Sequence, residues 1–376
     1  MEPDALFVAP RSEEMPAEPA GLSPGGQAAA PGGPTRPAMR GRRRSGYSNL
    51  ARWESGLVVA LVATVVMAVS LSPEFLTRAN ILNLGLTNGE VAIMALPMML
   101  VIIAGEIDLS IQSTLALSSS LLGYLWAHGW AMPLIIAVVL VLGTLLGVFN
   151  GLLVTRLGLP SLAVTIGTLT LYAGIAEIIL GSNTISNFPA GYTTIGVSPF
   201  PHTDLSYSAV IFIVLAIVFG FVLHFTPFGR AVFAIGANKE AALYAGIRVK
   251  RIKTALFALS GFIGALAGVL LTFELSTAEP GNGDGFVLSV VAIVLLGGVS
   301  IFGGKGSMVG VVLAVLIFAG LQNALLLTNF PESASGTIPG GLLLVAVLVP
   351  YTGELLRRGR RMAARRLATG SPEGRR

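Results

Sequence analysis

Glu106, Asp108 and Ser110 stand at alternate positions in the run Gly105-Glu-Ile-Asp-Leu-Ser-Ile-Gln-Ser113, inside otherwise unbroken apolar sequence. Carboxylates at such depth are costly in a bilayer and face a bundle interior or a watery cavity. Gly105 can break a helix, and Asp108 or Ser110 can cap the next one. The segment therefore reads as a discontinuous helix beside a transport route, with a capping role for Asp108 favoured over direct substrate contact. The plainer alternative is a tight turn at a membrane face, its carboxylates wet. Asn150 and Asn323 are amides within apolar runs. They suit hydrogen-bonded bridges between helices or the lining of a polar route for a hydroxylated solute. Glu106, Asp108, Ser110, Asn150 and Asn323 are thus the candidate pathway residues. Glu177 is isolated in a further apolar run and has no evident role.

The motifs point away from chemistry on the chain itself. Gly303-Gly-Lys305-Gly lacks the upstream Gly and the Ser or Thr after Lys that a phosphate-binding loop needs. Gly281-Asn-Gly-Asp-Gly285 follows no strand and reads as an external turn. There is no Cys, which excludes disulfides and thiolate ligands, and the three His are scattered without ligand spacing. No catalytic, cofactor-binding or metal-ligating set is expected. If ATP drives this protein, the energy enters through a partner.

The segment from Gly229 to Gly246 reads as one short helix between two membrane spans. Asn238 can cap it, Glu240 suits the positive end of its dipole, and Gly246 is the residue type that ends helices. Such a compact helix, about 236–247, suits a surface pressed into a groove of another protein; an ordinary loop with a helical turn is the alternative. Its far edge is basic, with Arg248, Lys250, Arg251 and Lys253.

These residues need a membrane scaffold. Of 376 residues, 53% are apolar and 11% charged, and mean hydropathy is +0.79; a soluble domain carries about a quarter charged residues. Apolar runs fall at roughly 56–72, 86–104, 110–127, 133–154, 160–180, 207–225, 252–274, 286–300, 307–328 and 338–351. The chain is expected to be an all-α polytopic membrane protein of about ten transmembrane helices spanning 51–355. Residues 1–50, rich in Pro, Gly, Ala and Arg, are expected to be a disordered cytoplasmic tail without a signal peptide. Residues 356–376 form a basic tail: eight Arg against one Glu follow position 356. That excess fits membrane orientation and attraction to anionic lipid better than nucleic acid. With both termini cytoplasmic, Arg40–Arg44, Arg52, Arg156, Arg230, Lys239, Arg248–Lys253, Lys305 and the tail fall inside. Arg78 falls outside, with Glu74, Asp204, Glu274, Glu279, Asp284 and Glu332. The long polar loop 181–206 suits a docking surface or a pathway lid, with a plain connector as the alternative.

Gly147-Val-Phe-Asn150-Gly-Leu-Leu echoes Gly320-Leu-Gln-Asn323-Ala-Leu-Leu, in the fourth and ninth runs, as two inverted five-helix halves would produce. Gly143, Gly147 and Gly151, Gly264 with Gly268, and Gly306 with Gly310 are small-xxx-small steps that let helices approach closely.

Taken together, the motifs resemble the membrane permease of bacterial ATP-driven (ABC) sugar importers, the ribose-type group related to branched-chain amino acid permeases. The match runs over about 80–355. It comprises Gly105–Ser110, Asn150-Gly-Leu-Leu-Val, Leu159–Thr168, Gly229–Ile247 and Leu296–Ser307. The departures are Glu106 where a second Gly is usual, Ile111-Gln112 for Val-Gly, and Tyr172-Ala173-Gly174 for Tyr-Arg-Gly. The pattern is most similar to the rhamnose and sugar-autoinducer permeases, which often pair as two different chains; a pair of identical chains is the alternative.

The resemblance implies a permease pair in the bacterial cytoplasmic (inner) membrane, two cytoplasmic ATPase subunits carrying ATP and Mg, and an extracellular or periplasmic sugar-binding protein. It also implies that 229–247 couples to the ATPase through Gly229, Arg230, Asn238, Glu240, Ala241, Ala242 and Gly246. The rival readings are an ion-coupled transporter using Glu106, Asp108 or Glu177, an ABC permease for branched-chain amino acids or nucleosides, and a membrane scaffold without transport.

Overall fold

A computed structural model describes residues 45–328, 337–342, 344–346 and 348. Each expected apolar run contains an α-helix, because lipid offers no partner for a free N–H or C=O and a helix satisfies both internally. In chain order these are α1 (Ser45–Leu71), α2 (Arg78–Ile103), α3 (Ile111–Ala127), α4 (Met132–Arg156), α5 (Ser161–Leu180), the short α6 (Ala190–Val197), α7 (Tyr207–Phe225), α8 (Pro227–Ala237), α9 (Lys239–Tyr244), α10 (Val249–Leu275), α11 (Phe286–Leu296) and α12 (Met308–Leu327). A further apolar helix covers Thr337–Ala346. Seven of the described helices are long and apolar enough to cross a membrane: α1 from Trp53, α2, α4, α5, α7, α10 and α12. The all-α polytopic membrane architecture is present. α3 and α11 are shorter; at 1.5 Å per residue α11 reaches only about 16 Å, roughly half a hydrocarbon core.

Three boundaries differ from expectation. Residues 45–50, assigned above to the tail, already form the first turns of α1. The loop 181–206 contains α6. The short helix expected at about 236–247 is α9, and a separate helix, α8, precedes it, the two divided by the extended backbone of Asn238 (φ −163°, ψ 106°). The calls on residues 1–44, including Arg40–Arg44, on Glu332, and on the tail 356–376 lie outside the described residues.

α2 is the central helix, buried from Asn88 to Ile103, whereas α1 exposes Val58, Val59, Val62 and Val66 on its outer face. Pro97 lies inside α2 without ending it, as neighbouring helices allow in a membrane bundle. A close and extended seam joins α4 to α10. A Cβ on Gly147 would sit 2.2 Å from Phe257 O, and one on Gly143 2.6 Å from Gly261 O. Gly264 and Gly268 of α10 turn to α3, meeting Ile111 O and Leu115 O. The small-residue steps therefore do what their spacing implies: backbones touch where no side chain fits.

Two ends of the bundle can be told apart. One gathers the last turn of α2, α8, α9, the start of α10 and the 297–307 connection; Gly304 N donates to Ile103 O at 2.8 Å. This end carries Arg230, Lys239, Arg248, Lys250, Arg251 and Lys305. At the other end the 181–206 and 276–285 connections meet through a bridge between Ile185 and Ala278, and Arg78 pairs with Asp204 at 3.6 Å on the surface.

Candidate functional site

The α2–α3 break is a built polar turn. Gly105 takes φ +77°, which glycine adopts without strain. Asp108 is buried, so the wet-turn alternative fails. Its Oδ1 accepts from Ser110 N at 3.1 Å and from Ser110 Oγ at 2.6 Å, the short-range turn that Asp side chains favour. Asn150 Nδ2 donates to Ser110 Oγ at 2.7 Å, and Tyr172 Oη donates to Asn150 Oδ1 at 3.1 Å. One chain of hydrogen bonds thus ties the break to α4 and α5. α5 also straps its backbone: Ile107 N donates to Ser161 Oγ at 3.2 Å, and Thr165 Oγ1 donates to Ile107 O at 3.3 Å.

The candidates named from the sequence do not form one group. Asp108, Ser110 and Asn150 come together. Glu106 instead forms an ion pair with Lys253. Lys253, one of the four cations at the basic far edge, is thus buried in the first turns of α10. The spacing of Val249, Lys253, Leu256, Phe257 and Ser260 marks one helix face, and it is the buried one. Asn323 is elsewhere, exchanging two hydrogen bonds with Asn80 of α2 at 2.7 and 3.0 Å. It bridges helices, as does Asn150. Glu177 is exposed on α5 and joins none of these sets.

Other polar contacts had no advance signal. Ser208 Oγ of α7 donates to Glu90 Oε1 at 2.8 Å, and Glu274 of α10 faces the same carboxyl. Glu274 was expected in an external loop, but α10 runs to Leu275 and carries it inside the bundle. Gln112 of α3 accepts from Val287 N at 3.0 Å and reaches Asp284 at 3.4 Å. The starts of the two short helices, α3 and α11, therefore meet. Asn282 and Thr272 both donate to Ser119 Oγ at 2.8 Å.

The α8–α9 pair is capped twice. Thr226 Oγ1 accepts from Gly229 N at 3.3 Å, with Pro227 at the first helical position, a combination suited to a helix start. A Cβ on Gly229 would lie 1.9 Å from Leu223 O, so only glycine permits this sharp exit from α7. Asn238 Oδ1 accepts from Ala241 N at 2.9 Å, and Gly246 takes φ +80° after α9. Ala242 is buried against Ile235 and Val249 and anchors α9. Arg230, Glu240 and Ala241 are exposed, and Tyr244, which is not among the residues named for coupling, is 93% exposed. Behind this surface Gly236 lies on the end of α2, where a Cβ would be 1.8 Å from Ile103 O.

A helical membrane bundle with a buried polar break after its central helix and a capped helix pair slung between two spans has the architecture of a polytopic permease. The chain matches the family described as branched-chain amino acid transport system / permease component over residues 78–347, and it belongs to that family. It is similar to the autoinducer 2 import system permease protein LsrD of Escherichia coli strain K12 and of Shigella flexneri. Each is 36% identical over 304 residues, covering 79% of this chain and 91% of the relative. The same protein of Escherichia coli O157:H7 matches at the same identity and coverage. No solved structure matches. The resemblance to permeases drawn from the motifs above is borne out.

Proposed function

We propose that this chain is the membrane-spanning subunit of an ATP-driven importer that passes a small carbohydrate, a monosaccharide or a related sugar signal, through the bacterial cytoplasmic membrane. The observation that carries the reading is the α8–α9 pair, a rigid, doubly capped surface at the basic end of a chain with no nucleotide-binding motif of its own. The family and the relatives named for autoinducer 2 import support the transport role and the carbohydrate class. A cytoplasmic ATPase holding ATP and Mg, a second permease chain and an extracellular or periplasmic binding protein complete the system.

Nucleotide-driven closure of the ATPase pair displaces α8 and α9. Gly236 rests on the end of α2, and Lys253 holds Glu106, so the displacement reaches the α2–α3 break. Each state must be favoured by differential contacts, supplied here by nucleotide and by the loaded binding protein. The carboxylates named for the ion-driven rival weigh against it: Glu106 is paired, Asp108 is bonded to Ser110, and Glu177 lies on the outer face.

Uptake of radiolabelled sugar into vesicles holding this chain with its partners tests the reading. Accumulation should require ATP inside. Uptake that continues without ATP and collapses with the proton or sodium gradient would establish the ion-driven rival instead.

A further inference from the structure

We propose that the Ser300–Lys305 turn is a second docking point for the ATPase, with Phe302 as its apolar anchor beside α9. The inference rests on the reading above that α9 meets that partner. The turn is rigid. Ser300 N donates to Lys305 O at 3.0 Å and Gly303 N to Ser300 O at 2.8 Å. Gly303 and Gly304 take φ +80° and +72°, so the loop reverses sharply and throws its tip outward. That tip is apolar: Ile301 is 44% exposed and Phe302 92% exposed.

The turn is fastened to the coupling segment. Cβ atoms on Gly303 and Gly304 would lie 3.0 Å from Gly236 O and 2.8 Å from Ala237 Cα. Ala237 directly precedes Asn238, the cap of α9. The turn thus sits level with a helix whose exposed residues include Lys239 and Glu240, and Lys305 in the turn is itself exposed. Charged neighbours place this level in water and not in lipid. An aromatic ring held there on a rigid loop loses nothing in flexibility when a partner covers it, which is the economy of rigid anchors in interfaces. Tyr244 on α9 is the matching knob. One continuous surface therefore offers two aromatic anchors fixed relative to one another through a glycine seam, and the occupant is the ATPase subunit that receives α9.

The chain has no cysteine, so F302C and Y244C each introduce a single thiol. Labelling by a polyethylene-glycol maleimide is followed in inside-out vesicles of the assembled system, before and after the ATPase is stripped with urea. Both thiols should react at least about tenfold more slowly with the ATPase bound, as occlusion of an interface anchor requires. Protection of Y244C with equal labelling of F302C in both states overturns the proposal and leaves the role of α9 intact. Protection of neither overturns both. F302C that stays unreactive after stripping places the ring in the bilayer and also overturns it. Should F302C fail to insert, I301C reports from the same tip. F302A should weaken ATPase association about tenfold or more, and F302L should retain most of it.

Discussion

Lys253 Nζ pairs with the Glu106 carboxylate across the helix break, joining the first turns of α10 to the α2–α3 turn over a sequence separation of 147 residues. Both side chains are largely withdrawn from solvent, at 6% and 14% exposure. The pair connects the helix that follows α9 to the turn at which the central helix ends. The α8–α9 segment and the break are therefore joined at two places, through this pair at the start of α10 and through Gly236 against Ile103 O.

Removal of one partner strands a buried charge, so K253M and E106Q should each destabilise the purified protein by about 3–5 kcal/mol. The double variant E106Q/K253M should recover much of that loss, since no charge remains unpaired. Thermal unfolding of the four proteins in detergent checks this. If the double variant is as unstable as the sum of the singles, the two residues are not acting as a pair.

Asn150 bonds to both Ser110 and Tyr172, whereas Tyr172 closes the chain from one side. N150A should therefore cost more than Y172F, about 2–3 kcal/mol against about 1 kcal/mol, because the first removes two buried hydrogen bonds and leaves a void while the second removes one; Ser110 keeps Asp108 and Tyr172 keeps Leu146 O as partners. Unfolding midpoints of the two variants decide the order.

The α4–α10 seam has no room at Gly147. G147A should destabilise by about 1–3 kcal/mol through overpacking, and G147L should prevent stable insertion. G167A, on α5 with no atom within 4 Å of the added carbon, is the control and should be near neutral. Membrane yield and thermal stability are the readouts.

At the proposed coupling surface, N238A should loosen α9 by about 1 kcal/mol through loss of its cap. G246A should add strain of about 1 kcal/mol at φ +80°. Both should lower ATP-dependent uptake and ATPase co-purification while leaving the melting temperature of the isolated chain nearly unchanged, because α9 is a six-residue surface element. A large drop in melting temperature would instead make α9 part of the folding core.

Much of this protein was legible from one dimension. Long apolar runs must be helices in lipid, so the all-α bundle followed from hydropathy. Asn238 and Gly246 marked the ends of α9, because caps are set by residues adjacent in the chain. Glycines four apart announced close helix approach. What could not be read was partnership. Glu106 and Lys253 lie far apart in sequence, and nothing local chooses Lys253 from four neighbouring cations. Only the buried face of α10 singles it out. Asn150 and Asn323 looked equivalent, yet one meets Ser110 and Tyr172 and the other meets Asn80. Glu274 looked external until the length of α10 drew it against Glu90. Local rules bind residues within a turn or two of each other, and these pairings arise from which helix faces meet. Hydrophobic periodicity is a weak guide to that in a bundle where lipid-facing and core-facing positions are equally apolar.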